Sequence, residues 1–457
     1  MIKKRVVEGG RKLRGLRFKI RKDFLDFTKL EVSGSLVLLA ATILALVLAN
    51  SALGEGFEEF WHIELAFAIG DFEFGQSLLH WIDDGLMAIF FFVVGLEIKR
   101  EFLVGELSTV RKASLPILAA VGGMIVPALL YSVFNYGGEG ASGWGVPMAT
   151  DIAFALGVIT LLGSRVPTSL KVFLTALAIA DDIGAVLVIA LFYTSEILWG
   201  WLGIGMLLLL VLVLFNFLRV DNPIPYFLVA GVIWFAFLHS GVHATIAGVL
   251  VAFTIPATAR TEPSKFVSWA RGKLDEIEVG DTPGSHVLED PRQQTCATEI
   301  QEAARHISAP LQRLEHGLHP LTTFVILPLF ALANAGVMLE GNPLELLTQP
   351  VTIGVLVGLF VGKPLGITAL SWVAVRLGIA DLPTGVRWGH VFGAGILGGI
   401  GFTMSIFVSN LAFVDAHLQA EAKFAILITS LLAGAVGYFF LRGVTRGDAP
   451  IRDEVID

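Results

Sequence analysis

The sequence predicts an all-α membrane protein of about 12 transmembrane helices with inverted repeats, and one small extracytoplasmic β-hairpin. Three observations lead there. Of 457 residues, 55% are hydrophobic and 16% charged, where a soluble domain carries about 25% charged residues; a mean hydropathy of +0.75 excludes an ordinary soluble enzyme. The 32 Lys and Arg fall on alternate loops or termini, with Lys363 and Lys423 as exceptions, which is the distribution of a chain whose basic loops face the cytoplasm. Finally, two apolar spans seven apart are interrupted at corresponding places, the pointer to an inverted repeat of spans 3–5 and 10–12.

Runs of about 20 mostly apolar residues mark the spans. They lie near 34–51, 79–98, 114–136, 145–163, 169–193, 198–218, 223–238, 242–258, 320–339, 350–375, 386–413 and 422–441. The seventh and eighth are parted only by the turn around His239, Ser240 and Gly241. No Lys or Arg occurs between Glu31 and Ile98, whereas six acids lie from Glu55 to Glu73. The bases Lys99, Arg100, Arg111 and Lys112 follow the second span, Arg165 and Lys171 the fourth, Arg219 the sixth, Arg376 and Arg387 the tenth. Both termini are therefore expected in the cytoplasm, with spans 1–8 in residues 31–258 and spans 9–12 in residues 319–443.

Four segments lie outside the spans. Residues 1–30 hold eleven bases, three acids and no long apolar core, so they read as a basic cytoplasmic tail rather than a cleavable signal, either solvated or resting on anionic lipid. Between the first two spans, Ile63, Leu65, Phe67 and Ile69 alternate with period two, so residues 61–74 read as two strands around Gly70-Asp71. A lone hairpin is marginal in water; it pairs with a second copy across a dimer or lies on its own membrane domain. Residues 259–318 contain four prolines, ten acids and seven bases and read as a long cytoplasmic linker with a short amphipathic helix from Glu299 to Leu314. Residues 444–457 form a cytoplasmic tail. The single cysteine, Cys296, excludes disulfides and cysteine-based metal sites, and no nucleic-acid partner is expected.

Ionisable residues inside spans are costly and functional by default. Asp83 and Asp84 head the second span, Asp151 lies in the fourth, Asp181 and Asp182 in the fifth, His243 in the eighth and Lys363 in the tenth. Adjacent helix positions point about 100° apart, so Asp181 and Asp182 cannot both aim at one small site: one can hold an ion while the other meets a different partner. Lys363, in Gly362-Lys-Pro-Leu-Gly, is the intramembrane cation available to it. A buried ion pair that only locks helices together is the competing reading, but such pairs stabilise weakly, and one lysine cannot neutralise three mid-span aspartates.

Thr150 and Asp151 follow Gly145 and Pro147 in the fourth span, and the eleventh contains Gly393-Ala-Gly-Ile-Leu-Gly-Gly-Ile-Gly-Phe-Thr-Met-Ser. That glycine density suggests either unwound backbone or close helix packing. If the spans are broken, meeting N-termini call for an anion and meeting C-termini for a cation, roles open to Asp151 and Lys363.

At these residues the chain resembles the NhaA family of sodium/proton antiporters. The marks are Asp83-Asp-Gly-Leu-Met-Ala-Ile-Phe-Phe-Phe-Val-Val-Gly-Leu-Glu-Ile-Lys-Arg-Glu, Thr150-Asp-Ile-Ala-Phe-Ala-Leu-Gly, Ala180-Asp-Asp, Ser240-Gly-Val-His-Ala-Thr, Gly362-Lys-Pro-Leu-Gly and Gly401-Phe-Thr-Met-Ser-Ile-Phe. The resemblance implies twelve spans with the fourth and eleventh unwound and crossing. It implies Asp182 as the main sodium and proton carboxylate, Asp181 beside it and paired to Lys363, Thr150 lining the site, and Asp151 balancing the half-helix dipoles. It places Asp84 in the cytoplasmic funnel, and Glu97, Arg100, Glu101, His243, Glu315 and His316 at positions of pH response. It also implies a homodimer joined through the hairpin. The 259–318 loop and the basic tail depart from the family pattern, without touching the ion site.

The expected activity is that of a transporter, not an enzyme: Na+ or Li+ leaves a bacterial cell across its inner membrane as protons enter, with no cofactor. An isolated Asp titrates near about 3.9; burial and a like-charged neighbour both favour protonation, so sodium and protons compete for one site. An intramembrane aspartyl protease is the first alternative, but no Asp follows a tyrosine as that chemistry typically has it. A symporter of the same architecture is the second, and it needs a polar substrate pocket.

Overall fold

A computed structural model describes residues 32–447 except 71, 195, 260–262, 280–290, 306 and 338–342. The basic tail 1–30, with its expected lipid contact, and residues 448–457 of the C-terminal tail lie outside the described residues, as does Asp71 of the expected hairpin turn.

The chain runs from α1 (Val32–Ala49) through α2 (Gly54–His62) into strands β1 (Glu64–Ile69) and β2 (Phe72–Ser77). Next come α3 (Leu78–His80), a π-helical turn (Trp81–Leu86), α4 (Met87–Val104) and α5 (Val110–Asn135). A 3-10 segment (Glu139–Met148) precedes α6 (Ile152–Leu161) and α7 (Thr168–Phe192), then α8 (Trp199–Phe217), α9 (Pro223–Leu238) and α10 (Ala244–Thr254). The long polar segment holds α11 (Pro263–Val279) and α12 (Pro291–Arg305). The ninth span is α13 (Pro310–Leu321), a π turn (Thr322–Ile326) and α14 (Leu327–Asn334). After α15 (Pro343–Leu346), the tenth is α16 (Pro350–Val357), a π turn (Gly358–Gly362) and α17 (Lys363–Arg376); α18 (Trp388–Gly398), α19 (Phe402–Ala412) and α20 (Ala416–Val444) complete the chain.

Among the described residues, seven helices are long and apolar enough to cross a membrane, or nine with each bent pair taken as one span. The shorter apolar helices α9 and α10, and the run Leu78–Val104 with its charged end, fill the other predicted positions. Spans four and eleven are the bent pairs, broken by 44° between Met148 and Ile152 and by 49° between Gly398 and Phe402. The glycine-rich eleventh span is thus interrupted, as its composition suggested.

Two elements differ from expectation. Residues 259–318 are not a featureless linker: α11 and α12 are joined by the Lys273–Glu299 ion pair at 3.0 Å. Pro263, Pro291 and Pro310 each open a helix at its first position, where a missing N–H costs nothing, rather than breaking one. The helix expected from Glu299 to Leu314 is divided between α12 and α13. The hairpin spans 64–77 rather than 61–74, because Trp61 belongs to the amphipathic α2. Its register runs from Glu64 opposite Ser77 to Ile69 opposite Phe72, and Gly70, at φ +62°, supplies the left-handed residue of the turn. It rests on its own chain: Trp81 Nε1 donates to Leu65 O at 3.2 Å, and Phe74 packs edge-on against Trp81 and Phe235.

The helices pack as two bundles. One contains α5, α7, α16, α17, α18 and α20; the other groups α4 with α10 and α13, and α9 with α8 and α10. Within the first, α5 and α17 cross backbone to backbone: a Cβ on Gly122 would strike the Gly366 carbonyl, and one on Gly366 the Gly122 carbonyl. Small residues are how helices approach closely in lipid, where no hydrophobic force drives them together. In the second bundle, Lys99 Nζ donates to Phe253 O at 2.7 Å and also to Ile255 O, placing a cation on the negative end of α10. Gly366→Ala is expected to cost about 1–3 kcal/mol through overpacking and to lower the thermal unfolding midpoint of the purified protein; an unchanged midpoint would show that the crossing can part without cost.

Candidate ion site between the broken helices

The two breaks face each other at the centre of the molecule. The Asp151 N–H donates to Ile400 O at 2.7 Å, so each interrupted segment satisfies backbone groups of the other, as buried polar groups require. Asp151 caps both following half-helices. Its Oδ1 accepts from Phe154 N at 3.0 Å, in the first turn of α6, while Oδ2 accepts from the backbone N–H of Thr403 at 3.2 Å and from its hydroxyl, in the first turn of α19. One carboxylate therefore sits against two positive helix ends.

The carbonyl end of α18 is met by Thr150, which is itself held by Lys363. Thr150 Oγ1 donates to Gly398 O, the last residue of α18, at 2.8 Å. Lys363 Nζ donates to Thr150 Oγ1 at 2.8 Å and to Asp181 Oδ2 at 2.7 Å. All four residues are buried. Lys363 lies at the end of a π turn, a local widening of the helix often found at functional sites.

Asp182 is turned away from this pair. It lines a cavity of about 80 Å³ with Asp151, Glu97, Arg100, Thr175, His319 and Thr403 among its walls. Its Oδ2 is buried without a hydrogen-bond partner, as is Asp181 Oδ1. The 100° step between neighbours thus divides the work: Asp181 is compensated by a cation, and Asp182 presents an uncompensated oxygen to a small polar space. Among the described residues, no group of three or more His, Cys, Asp and Glu is arranged to hold a metal ion. A hard cation passing here would draw oxygens from Asp182, Asp181, hydroxyls and freed carbonyls.

The other expected site residues separate into two places. Arg100 lies between Glu101 and Glu315, at 2.9 Å from each, and Glu97 stands 3.7 Å from His319, so Glu97, Arg100, Glu101 and Glu315 do form one cluster at the cavity's mouth. His316 does not join it; its ring meets Gln312 O of its own helix at 2.9 Å, on the exposed face. Asp84 is not in the same funnel. It is thirteen positions along the helical run from Glu97, about 20 Å, and it sits in the π turn beside Trp81 and the hairpin, where its carbonyl accepts from Trp234 Nε1 at 2.9 Å. His243 is at that end too, with Nε2 2.7 Å from Tyr193 O, so it takes no part in the Arg100 cluster. A span's two ends are adjacent in sequence pattern but opposite in space.

Sequence reasoning missed Thr403, His319, Asn334 and Asn410. Thr403 had a signal, since it directly follows the glycine break and so occupies the first turn of a half-helix. Asn334 closes α14, Asn410 lies two residues from the end of α19 and His319 is in the last turn of α13, and their partners come from remote spans.

Residues 25–441 match the family model described as Na+/H+ antiporter 1. The Na(+)/H(+) antiporter NhaA of Oleidesulfovibrio alaskensis is 50% identical over 436 residues, covering 94% of this chain and 96% of the relative. The protein of the same name from Acidithiobacillus ferrooxidans is 50% identical, covering 93% and 99%, and that from Helicobacter pylori 48% identical, covering 91% and 94%. This chain belongs to the Na+/H+ antiporter 1 family, the multi-pass membrane antiporters of sodium and protons to which the NhaA proteins also belong.

Proposed function

We propose that this antiporter exports Na+ or Li+ across the bacterial inner membrane against incoming protons, electrogenically and under pH control, with Asp182 as the carboxylate for which ion and proton compete. The observation that carries the reading is the unpartnered Asp182 oxygen facing the cavity, next to an Asp181 already neutralised by Lys363.

A proton on Asp182 satisfies the carboxyl without a cation. Sodium displaces it and recruits oxygens from Asp181 and the Thr150 region, which competes with Lys363 for Asp181. Coupled groups of this kind release protons as a unit, and more than one proton per sodium makes the exchange electrogenic. Alternating access of the site to the two faces turns competition into exchange. Asp151 stays in place throughout, compensating the two half-helix N-termini. The Glu97, Arg100, Glu101, Glu315 and His319 cluster at the mouth is the reading's pH-responsive element, because it gathers ionisable groups around one Arg100 shared by Glu101 and Glu315. No cofactor enters this scheme.

A symporter of an organic substrate is the weaker reading. Pockets for such ligands measure about 300–1,000 Å³, and the cavity at Asp182 is about 80 Å³, room for an ion and its water. The Lys/Arg distribution supports a cytoplasmic location for both termini. A homodimer joined through the hairpin is supported by its two-stranded form with Leu65 and Phe67 exposed.

Three outcomes are expected. In inside-out vesicles acidified within, Na+ and Li+ should collapse the proton gradient, and Asp182→Asn should reduce that response to background; sodium-driven exchange persisting in the variant would remove Asp182 from its role. Lys363→Gln strands a buried carboxylate, a change that costs about 3–5 kcal/mol when one partner of a buried pair is lost. Its lowered thermal midpoint should be partly restored by adding Asp181→Asn, and equal midpoints for the single and double variants would contradict the pairing. Replacing residues 64–77 by a short Gly-Ser link should turn a dimer into a monomer by native mass spectrometry, and an intact dimer would place the interface elsewhere.

A further inference from the structure

Three spans line the cavity and then continue past it toward the hairpin, and each carries the same order of residues. On the ninth, Thr323 and Leu327 face the cavity, Phe330 follows, then Asn334. On α19 the order is Thr403 and Met404, Phe407, Asn410. On the second span, which runs the opposite way, it is Val94, Phe91, Asp83. The three phenylalanines form a dry layer: Phe407 lies 5.4 Å from Phe91 and 6.3 Å from Phe330 between ring centroids, and all three are at most 1% exposed.

Beyond that layer the polar residues close over it. Asn334 Nδ2 donates to Asp83 Oδ1 at 2.7 Å. Asn410 Nδ2 donates to Asn334 Oδ1 at 2.6 Å and to Asp83 Oδ2 at 3.3 Å. Lys423, the base that departs from the alternating pattern, acts on Asp83 electrostatically. Asn410 Oδ1 is buried with no hydrogen-bond partner. The cluster straddles the seam between bundles, since Asp83 and Asn334 belong to the spans of α4 and α13, whereas α19 packs with α20.

We propose that Asp83, Asn334 and Asn410 form the gate on the hairpin side of the ion route, shut in this conformation over the plug of Phe91, Phe330 and Phe407. The proposal rests on the exchange reading and adds to it the place where the closed half of the pathway opens. The polar cluster caps the apolar plug with hydrogen bonds that water can replace when the seam parts. When it parts, Asp83 and the two carboxamide oxygens are left at the mouth as hard-cation ligands. These are positioning residues, acting on access to Asp182 and not at the exchange site itself.

The test is reversible bridging of the seam in a Cys296→Ser background reconstituted in liposomes. In Asn334→Cys with Asn410→Cys, oxidation by copper phenanthroline should cut sodium-driven proton exchange at least tenfold, and dithiothreitol should restore it. The companion Asp83→Cys with Asn334→Cys lies on one side of the seam; its rate should be the same oxidised or reduced. Full exchange across a quantitatively formed Asn334–Asn410 bridge, verified by mass, would overturn the gate and leave a structural contact. Equal arrest of the companion pair would overturn the placement of the seam. Should the first pair fail to insert, Asp83→Cys with Asn410→Cys spans the same seam and is read in the same way. A Cys296→Ser parent that shows no exchange defeats the antiport reading itself, an outcome distinct from failure of the gate.

Discussion

Two broken helices cannot lie in a low-dielectric interior unless the charges at their ends are answered. Each break exposes the partial positive charge of a starting half-helix and the partial negative charge of an ending one, as well as backbone groups that lipid cannot hydrate. Here Asp151 answers both N-termini at once, and Thr150, held by Lys363, answers the end of α18. The rest of the structure follows from that crossing. The α5–α17 contact at Gly122 and Gly366 holds the two helices beside the breaks close enough to bring Lys363 to the centre, and α7 is placed so that Asp181 meets that lysine.

The arrangement leaves the site incompletely paired by construction. A sealed, fully paired cluster would bind nothing; a cluster of uncompensated charges would not insert. With three carboxylates against one lysine, the crossing keeps Asp151 and Asp181 compensated and leaves Asp182 with an unpartnered oxygen at a cavity of about 80 Å³. In the proposed exchange, occupancy of that oxygen by a proton or a sodium ion would complete what the fold leaves incomplete, so the two would compete. At the seam between the bundles, a carboxylate and two carboxamides close the proposed gate by hydrogen bonds.

Much of this was legible in the sequence, because the membrane restricts the possible structures so severely. Apolar run length, alternating bases and glycine density depend only on local composition, and they located the spans and the interruptions and put Asp151, Asp181, Asp182 and Lys363 inside spans. Prolines misled where context reverses their meaning: Pro263, Pro291 and Pro310 start helices in a segment that reads as linker. The hairpin's alternation was visible, but its start was not, because Trp61 and Ile63 suit the end of an amphipathic helix as well as the start of a strand.

What sequence alone determined were the properties that a helix carries by itself: that it spans, where it breaks and which ionisable group it brings. Tertiary structure decided the pairings, because hydrogen bonds between remote spans depend on rotation and depth that no local pattern records. Thus Lys363 reaching Asp181 and Thr150, Asp84 and His243 lying at the hairpin end away from Arg100, and Asp83 meeting Asn334 and Asn410 emerge only when all the helices are packed together.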